Sequence, residues 1–199
     1  MHNAYSLGVQ SIDVNKPMAI NQFNTALLEY LTVYYTHDYH DLVIMCIGTD
    51  RSTGDALGPL IGYKLKKALR RYKNVFVHGT LEEPVHAKNL NEAIDFVHKT
   101  YHRPFIIAID ACLGKIERVG YVTIGDGPLK PGAGVNKNLP SVGNIHITGI
   151  VNLGGFMEYI ILQNTRLGLV MKMADAISEG IRYGLWKFMN KIEKERSSL

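Results

Sequence analysis

In Leu42-Val-Ile-Met-Cys-Ile-Gly-Thr-Asp-Arg-Ser-Thr-Gly-Asp55 an unbroken apolar run gives way at once to a polar loop bounded by glycines. Continuous apolar residues without alternation are the pattern of a parallel strand buried on both faces. The loop leads into a helix expected from about Ala56 to Tyr72. Pro59 falls in its first turn, where the missing N–H would have no helical partner anyway.

Working outward, the same alternation continues. Val75-Phe-Val-His78 reads as a short strand, and Ala87 to Tyr101 as an amphipathic helix with Leu90, Ala93, Ile94 and Val97 on one face. Pro104-Phe-Ile-Ile-Ala-Ile109 is a further buried strand ending on Asp110. Upstream, Ile20, Phe23, Leu27, Tyr30, Leu31 and Tyr34 recur at helical spacing from Ala19 to about Tyr35. Residues 1 to about 16 read as an N-terminal arm, so arm and helix occupy about 1–40. The polar string Thr36-His-Asp-Tyr-His-Asp41 reads as a solvated loop. This β-α-β-α-β order predicts a parallel sheet covered by helices on both faces.

Beyond Asp110 the pattern changes. Arg118 to Ile124 alternates like an antiparallel strand and leads into the glycine-rich loop Gly125 to Gly134. Asn144-Ile-His-Ile-Thr-Gly-Ile150 is another strand, and Gly154-Gly155 breaks the chain before Phe156 to Leu162. Leu167, Val170, Ala174, Ile177, Ile181, Leu185, Phe188 and Ile192 mark a long C-terminal helix, with Thr165 as its expected N-cap. The whole, 1–199, reads as one three-layer α/β/α domain with a mostly parallel central sheet.

Composition limits the function classes. With 46% hydrophobic and 20% charged residues the 199-residue chain is of ordinary globular type. No run approaches a membrane span, and Met1-His-Asn-Ala-Tyr5 lacks a basic region followed by an apolar stretch. A cytoplasmic protein without a membrane partner is expected. Cys46 and Cys112 sit beside apolar runs and read as small buried hydrophobes of a reducing compartment. The net charge of +4 comes largely from Lys64 to Lys73 and Lys187 to Arg196. The first cluster reads as a solvated helix face opposite Leu65 and Leu69. Without a recognition motif, nucleic acid is not an expected partner.

Ligands of open α/β sheets gather at the carboxyl ends of the strands. Three segments are expected there: the Thr49 to Asp55 loop, Asp110 with the residues just after it, and the Gly125 to Gly134 loop. Read singly, Asp110 is a strand-end turn cap and Asp55 a helix N-cap. Read together, two carboxylates at adjacent strand ends cannot both ionise easily, so one can hold a proton while the other activates water. Asp50 and Asp126 add acids to the same region, and a cluster of oxygen ligands suits a hard divalent cation. His146 lies between Ile145 and Ile147, facing the same way as Thr148. It reads as a core histidine first and a third ligand second. Gly132, Gly134 and Gly143 serve turns with positive φ, and exposed N–H groups there can hold a carbonyl oxygen or an anion. Neither GxGxxG nor a Walker A loop is present.

These residues carry a family resemblance. Ile47-Gly-Thr-Asp-Arg-Ser-Thr-Gly-Asp-Ala-Leu-Gly-Pro59 resembles the corresponding loop of the YyaC-type sporulation proteins. With Ile106-Ile-Ala-Ile-Asp-Ala111, Glu117-Arg-Val-Gly120 and Lys130-Pro-Gly-Ala-Gly-Val135, it is also similar to the spore germination protease, which degrades the small acid-soluble proteins coating spore DNA. The resemblance runs in order from Leu42 to Gly155. Both families are similar in fold to the hydrogenase maturation endopeptidases.

The resemblance implies an unusual aspartic-type peptidase of the sporulating cell or spore, with Asp55 and Asp110 matching the two essential acids. Thr49, Asp50, Arg51, Ser52, Gly132 and Gly134 would line the approach of a protein or peptide substrate, small acid-soluble spore proteins being the implied class. No cofactor is required on this reading. In the hydrogenase endopeptidases, similarly placed acids and a histidine engage nickel. His146, in His-Ile-Thr-Gly149, is similar to that histidine, giving a metal-dependent alternative with Asp55 and Asp110. The germination protease lacks it and is considerably longer, so its specificity does not carry over. A non-enzymatic binding or regulatory protein on the same fold is the third expectation, and the resemblance assigns no oligomeric state.

Overall fold

Strand β2, Leu42–Cys46, is buried at every position, as its unbroken apolar run requires. In the computed structural model, which describes residues 6–132 and 139–197, it lies inside a six-stranded sheet. The strands are β1 (Val9–Asp13), β2, β3 (Val75–His78), β4 (Phe105–Gly114), β5 (Tyr121–Asp126) and β6 (Ile145–Leu153), and the order across the sheet is β1-β5-β6-β4-β2-β3. β3, β2, β4 and β6 run parallel, with Leu42 opposite both Val75 and Phe105. β5 and β1 complete the far edge antiparallel.

The helices are α1 (Ala19–Tyr34), α2 (Leu57–Ala68), α3 (Leu90–Thr100), α4 (Glu158–Gln163) and α5 (Leu167–Ser197). Ile44, Cys46, Ile107, Ile109 and Ile147 pack on one side of the sheet with Leu27 of α1, Ile61 of α2 and Ile177 of α5. Val43, Met45, Ile106 and Ala108 pack on the other with Leu90 and Val97 of α3. Successive strand residues point to opposite faces, so β2 and β4 feed both cores at once. The result is the expected three-layer α/β/α arrangement around a mostly parallel sheet. No helix among the described residues is long and apolar enough to cross a membrane.

Four local features differ from expectation. Part of the arm is strand β1, paired with β5 from Val9 opposite Gly125 to Asp13 opposite Tyr121. Val-Gln-Ser-Ile-Asp is too short and polar to announce itself, and it is held by the Tyr30 hydroxyl, whose one proton is shared between the carbonyls of Gly8 and Ile124. Strand β4 continues past Ile109 to Gly114 because β6 offers ladder partners as far as Leu153. Asp110 therefore lies within a strand, at the last of its buried positions. Helices α2 and α3 are each shorter than the apolar periodicity suggested. Thr165 spends its hydroxyl on the Ile161 carbonyl at 2.9 Å and accepts from Asn152, rather than acting as the expected cap of α5.

Candidate active site

The loop of residues 48–55 is a clamped structure. Gly48 leaves β2 at φ +144°, and a Cβ there would stand 2.0 Å from the Asp55 carbonyl, so only glycine fits. The Gly48 N–H donates to the Val85 carbonyl at 2.8 Å, Thr49 to Asp55 at 3.1 Å, and Gly54 to Leu162 at 2.8 Å. Two segments distant in sequence, at Val85 and Leu162, thus hold one loop that also closes on itself through Asp55. Helix α2 then starts against the end of β2: a Cβ on Gly58 would lie 2.1 Å from the Ile47 carbonyl. This close approach sets Asp55 beside the end of β2 and near Asp110 of β4.

A cleft of about 480 Å³ opens there, within the range of small-ligand sites. Thr49, Arg51, Ser52, Asp55, Asp110, His86, Lys88 and Gly132 line it, with Ile47, Leu139, Tyr159 and Leu162 as apolar walls. Asp110 is only 8% exposed, and its Oδ1 accepts the Ala111 N–H at 2.8 Å. Burial drives its pKa well above the ordinary carboxylate value, and the Asp55 charge pushes it the same way. The Ala111 hydrogen bond opposes both. A carboxyl shut from water beside a second acid favours its neutral form. A separate concavity of about 540 Å³ at the β3 edge shares His86 but contains neither acid.

Thr148 stands opposite Asp110 in the β4–β6 ladder, and its hydroxyl lies 2.6 Å from that of Thr123. Burial pushes the Cys112 thiol up to about 11, against a lowering hydrogen bond from Thr148, and burial also raises Cys46 strongly. Both cysteines are free, and neither has the depressed pKa of a thiolate nucleophile.

The structure separates the remaining candidates. Asp50 is exposed on the loop and does not line the cleft. Asp126 stands opposite Ile145 at the start of β6 and accepts from Ser6. Because β5 runs antiparallel, its C-terminal end reaches the edge of the sheet away from the cleft. Gly134 lies outside the described residues. His146 pairs with Ala108 and Gly125, one pleat below Asp110. Its ring covers Gly125, where a Cβ would meet Nε2 at 2.6 Å. Its Nδ1 donates to the Gly127 carbonyl at 3.1 Å. Among the described residues no three His, Cys, Asp or Glu side chains are grouped to hold a metal ion. Asp55, Asp110 and His146 therefore do not form the ligand set that a metal-dependent variant would use.

Sequence reading missed His86, Lys88 and the Leu139, Tyr159 and Leu162 walls. His86 follows Val85, which bridges to Ile47 in parallel register beyond the end of β3. The one local signal is the apolar Val85 emerging from the polar Glu82-Glu-Pro segment. The walls carry no local signal, since they reach the cleft from elsewhere in the chain.

Likeness to known proteins exists both in sequence and in fold. The family described as "Protein of unknown function (DUF1256)" matches residues 11–180. A protein of Bacillus subtilis (strain 168) named "Uncharacterized protein YyaC" is 60% identical over 141 residues, covering 70% of this chain and 67% of that protein. Among solved structures, a NiFe hydrogenase maturation protease, HycI, from Thermococcus kodakarensis KOD1 is similar with a TM-score of 0.53. It shares 18% identity, and the match covers 80% of this chain and 98% of that one. At that identity the likeness establishes the fold alone.

Proposed function

The chain belongs to the DUF1256 family of proteins of unknown function, and from that footing we propose that it is a peptidase-like hydrolase of the sporulating cell. Asp55 and Asp110 share the work on a water molecule. The observation that carries this reading is Asp110, buried in the cleft, its pKa pushed well above the ordinary carboxylate value by burial and by the Asp55 charge.

In the proposed cycle Asp55, as carboxylate, takes a proton from the water while the oxygen bonds to the peptide carbonyl carbon. Asp110, as carboxylic acid, gives its proton to the carbonyl oxygen as charge develops there. The tetrahedral species collapses with the C–N bond breaking, a proton from Asp55 passing to the leaving amine and the hydroxyl proton returning to Asp110. Water is consumed and the dyad returns to its starting state. Gly132 lines the cleft, and its N–H would be the glycine-loop donor for the oxygen. Thr49, Arg51 and Ser52 line the approach of a protein or peptide substrate in the cytoplasm of the sporulating cell. Small acid-soluble spore proteins are the class suggested by the resemblance to the germination protease.

The test is incubation of wild type, Asp55→Asn and Asp110→Asn with small acid-soluble spore proteins and with a proteome-derived peptide library, read by mass spectrometry. Wild type is expected to generate new termini, and each variant to be slower by about 10²-fold or more. Equal cleavage by all three proteins would sink the dyad.

A further inference from the structure

The basic run from Lys64 to Lys73 and the outer edge of β3 have no work in the cleft, and the fold sets them side by side. β3 ends the sheet. The Leu42 N–H donates to the Asn74 carbonyl at 2.8 Å, which fixes the alternation of the parallel ladder. Asn74, Phe76 and His78 bond toward β2, while Val75 and Val77 turn their N–H and C=O groups outward. Among the described residues nothing takes up those outward groups. Edge strands are usually blunted by a charge, a proline, a bulge or a covering segment. Val75-Phe-Val-His78 contains no Lys, Arg, Asp, Glu or Pro, and its register with β2 runs without a bulge.

The two faces beside this edge differ in chemistry. Phe76 packs on the α3 side, Val75 and Val77 on the α2 side. On the α3 side Phe76 stacks on Tyr101 with ring centroids 4.1 Å apart, and His78 meets Phe96 edge-on at 5.6 Å. Phe96 is 51% exposed, an apolar shelf without cover. On the other side α2 comes so close that a Cβ on Gly62 would stand 2.0 Å from the Gly79 carbonyl oxygen. Lys66, one turn further along α2, borders the concavity at the edge. Lys67, Arg70 and Lys73 follow, all exposed and in no ion pair among the described residues. The nearby acids are Glu82 and Glu83, past the end of β3, and Lys66 engages Glu83 at 3.2 Å.

These observations select the occupant. A second copy of this chain, adding through its own β3, would bring two basic faces together, and like charges in close approach oppose association. A nucleic acid would meet the cations but could not extend the ladder at Val75 and Val77. An extended peptide meets every feature: its main chain pairs with the edge, acids at every second residue face α2, and the apolar residues between them cover the aromatic shelf. We propose that the free edge of β3 docks an extended segment of a partner protein that alternates acidic and apolar residues, added to the sheet as a further strand. The inference stands apart from the peptidase reading, since neither Asp55 nor Asp110 borders this concavity.

The experiment uses the full chain and a blocked heptapeptide alternating glutamate with valine. Its Kd is measured beside those of the same peptide with lysine for glutamate and of two versions N-methylated on the glutamate amides or on the valine amides alone. Oligothymidylate is the nucleic-acid probe. The parent peptide is expected to bind and to slow amide hydrogen exchange at Val75 and Val77, leaving Phe76 and His78, already bonded in the sheet, unchanged. Only one edge of an added strand faces β3. One methylated version should therefore bind about tenfold more weakly, the loss of backbone hydrogen bonds, and the other like the parent. Lys67→Glu with Arg70→Glu should weaken the parent about tenfold or more. Should unfolding midpoints show that this variant does not fold, Lys67→Gln with Arg70→Gln gives the same reading at smaller magnitude. Equal binding of the lysine peptide, equal effects of the two methylations, unmoved exchange at Val75 and Val77, or no binding of the parent would each overturn the docking. Oligothymidylate that binds more tightly and displaces the peptide would assign the face to nucleic acid instead. A dimer in sedimentation that protects Val75 and Val77 before peptide is added would give the edge to a second copy.

Discussion

Asp110 concentrates the electrostatics of this protein in one side chain. Its folded-state pKa is raised by burial first and Asp55 second. Above the ordinary carboxyl value of 3.8 the unfolded chain has lost this proton while the folded chain keeps it. Asp110 therefore draws stability down as pH rises from that value toward its folded pKa, at no more than about 1.4 kcal/mol per pH unit. Asp110→Asn, nearly isosteric and still able to accept the Ala111 N–H, removes this slope. Thermal unfolding across pH is expected to show the variant more stable than wild type near neutrality, with the gap closing in acid. A wild-type curve parallel to the variant's would contradict the assignment. At this scale both acids were legible, because the close of an apolar run and a polar loop are local patterns. His86 was not, and Asp126 was misplaced, because each depends on where a neighbouring segment runs.

At the scale of the element, contact between α2 and β2 decides the shape of the cleft. Gly58 has no room for a side chain: an added Cβ would stand 2.1 Å from the Ile47 carbonyl oxygen, and that backbone cannot give way cheaply. Gly58→Ala is expected to push α2 off the sheet and to cost roughly 1–3 kcal/mol in denaturant unfolding. Gly168 in α5 meets nothing within 4 Å, so Gly168→Ala should be neutral or stabilising by about 0.5–1 kcal/mol. Similar losses in both would remove close packing as the cause. Cores of β2, β3 and β4 were readable from their apolar runs. The extension of β4 and the existence of β1 were not, since a polar strand persists only where a partner offers its ladder.

For the molecule as a whole, the helical layer of α1 and α5 sets stability without touching the cleft. Leu27 is fully buried, and Gly184 of α5 admits it closely, since an added Cβ there would lie 3.1 Å from Leu27 Cδ2. Leu27→Ala is expected to cost about 2–5 kcal/mol, seen as a fall in Tm of roughly 2–4 °C per kcal/mol. Peptide binding by the folded variant should be unchanged, and a selective loss of binding would show that this layer is coupled to the site. By itself the sequence determined the alternation of strands and helices, the two-sided burial of β2 and β4, and the placement of Asp55 and Asp110 just beyond unbroken apolar runs. Each comes from periodicity and chain order over a few residues. Only the tertiary structure decided that β5 turns Asp126 away, that His146 is spent on Gly127, and that His86, Leu139 and Tyr159 meet the acids. Convergence on a sheet edge depends on strand order and direction, which are set by packing between segments far apart along the chain.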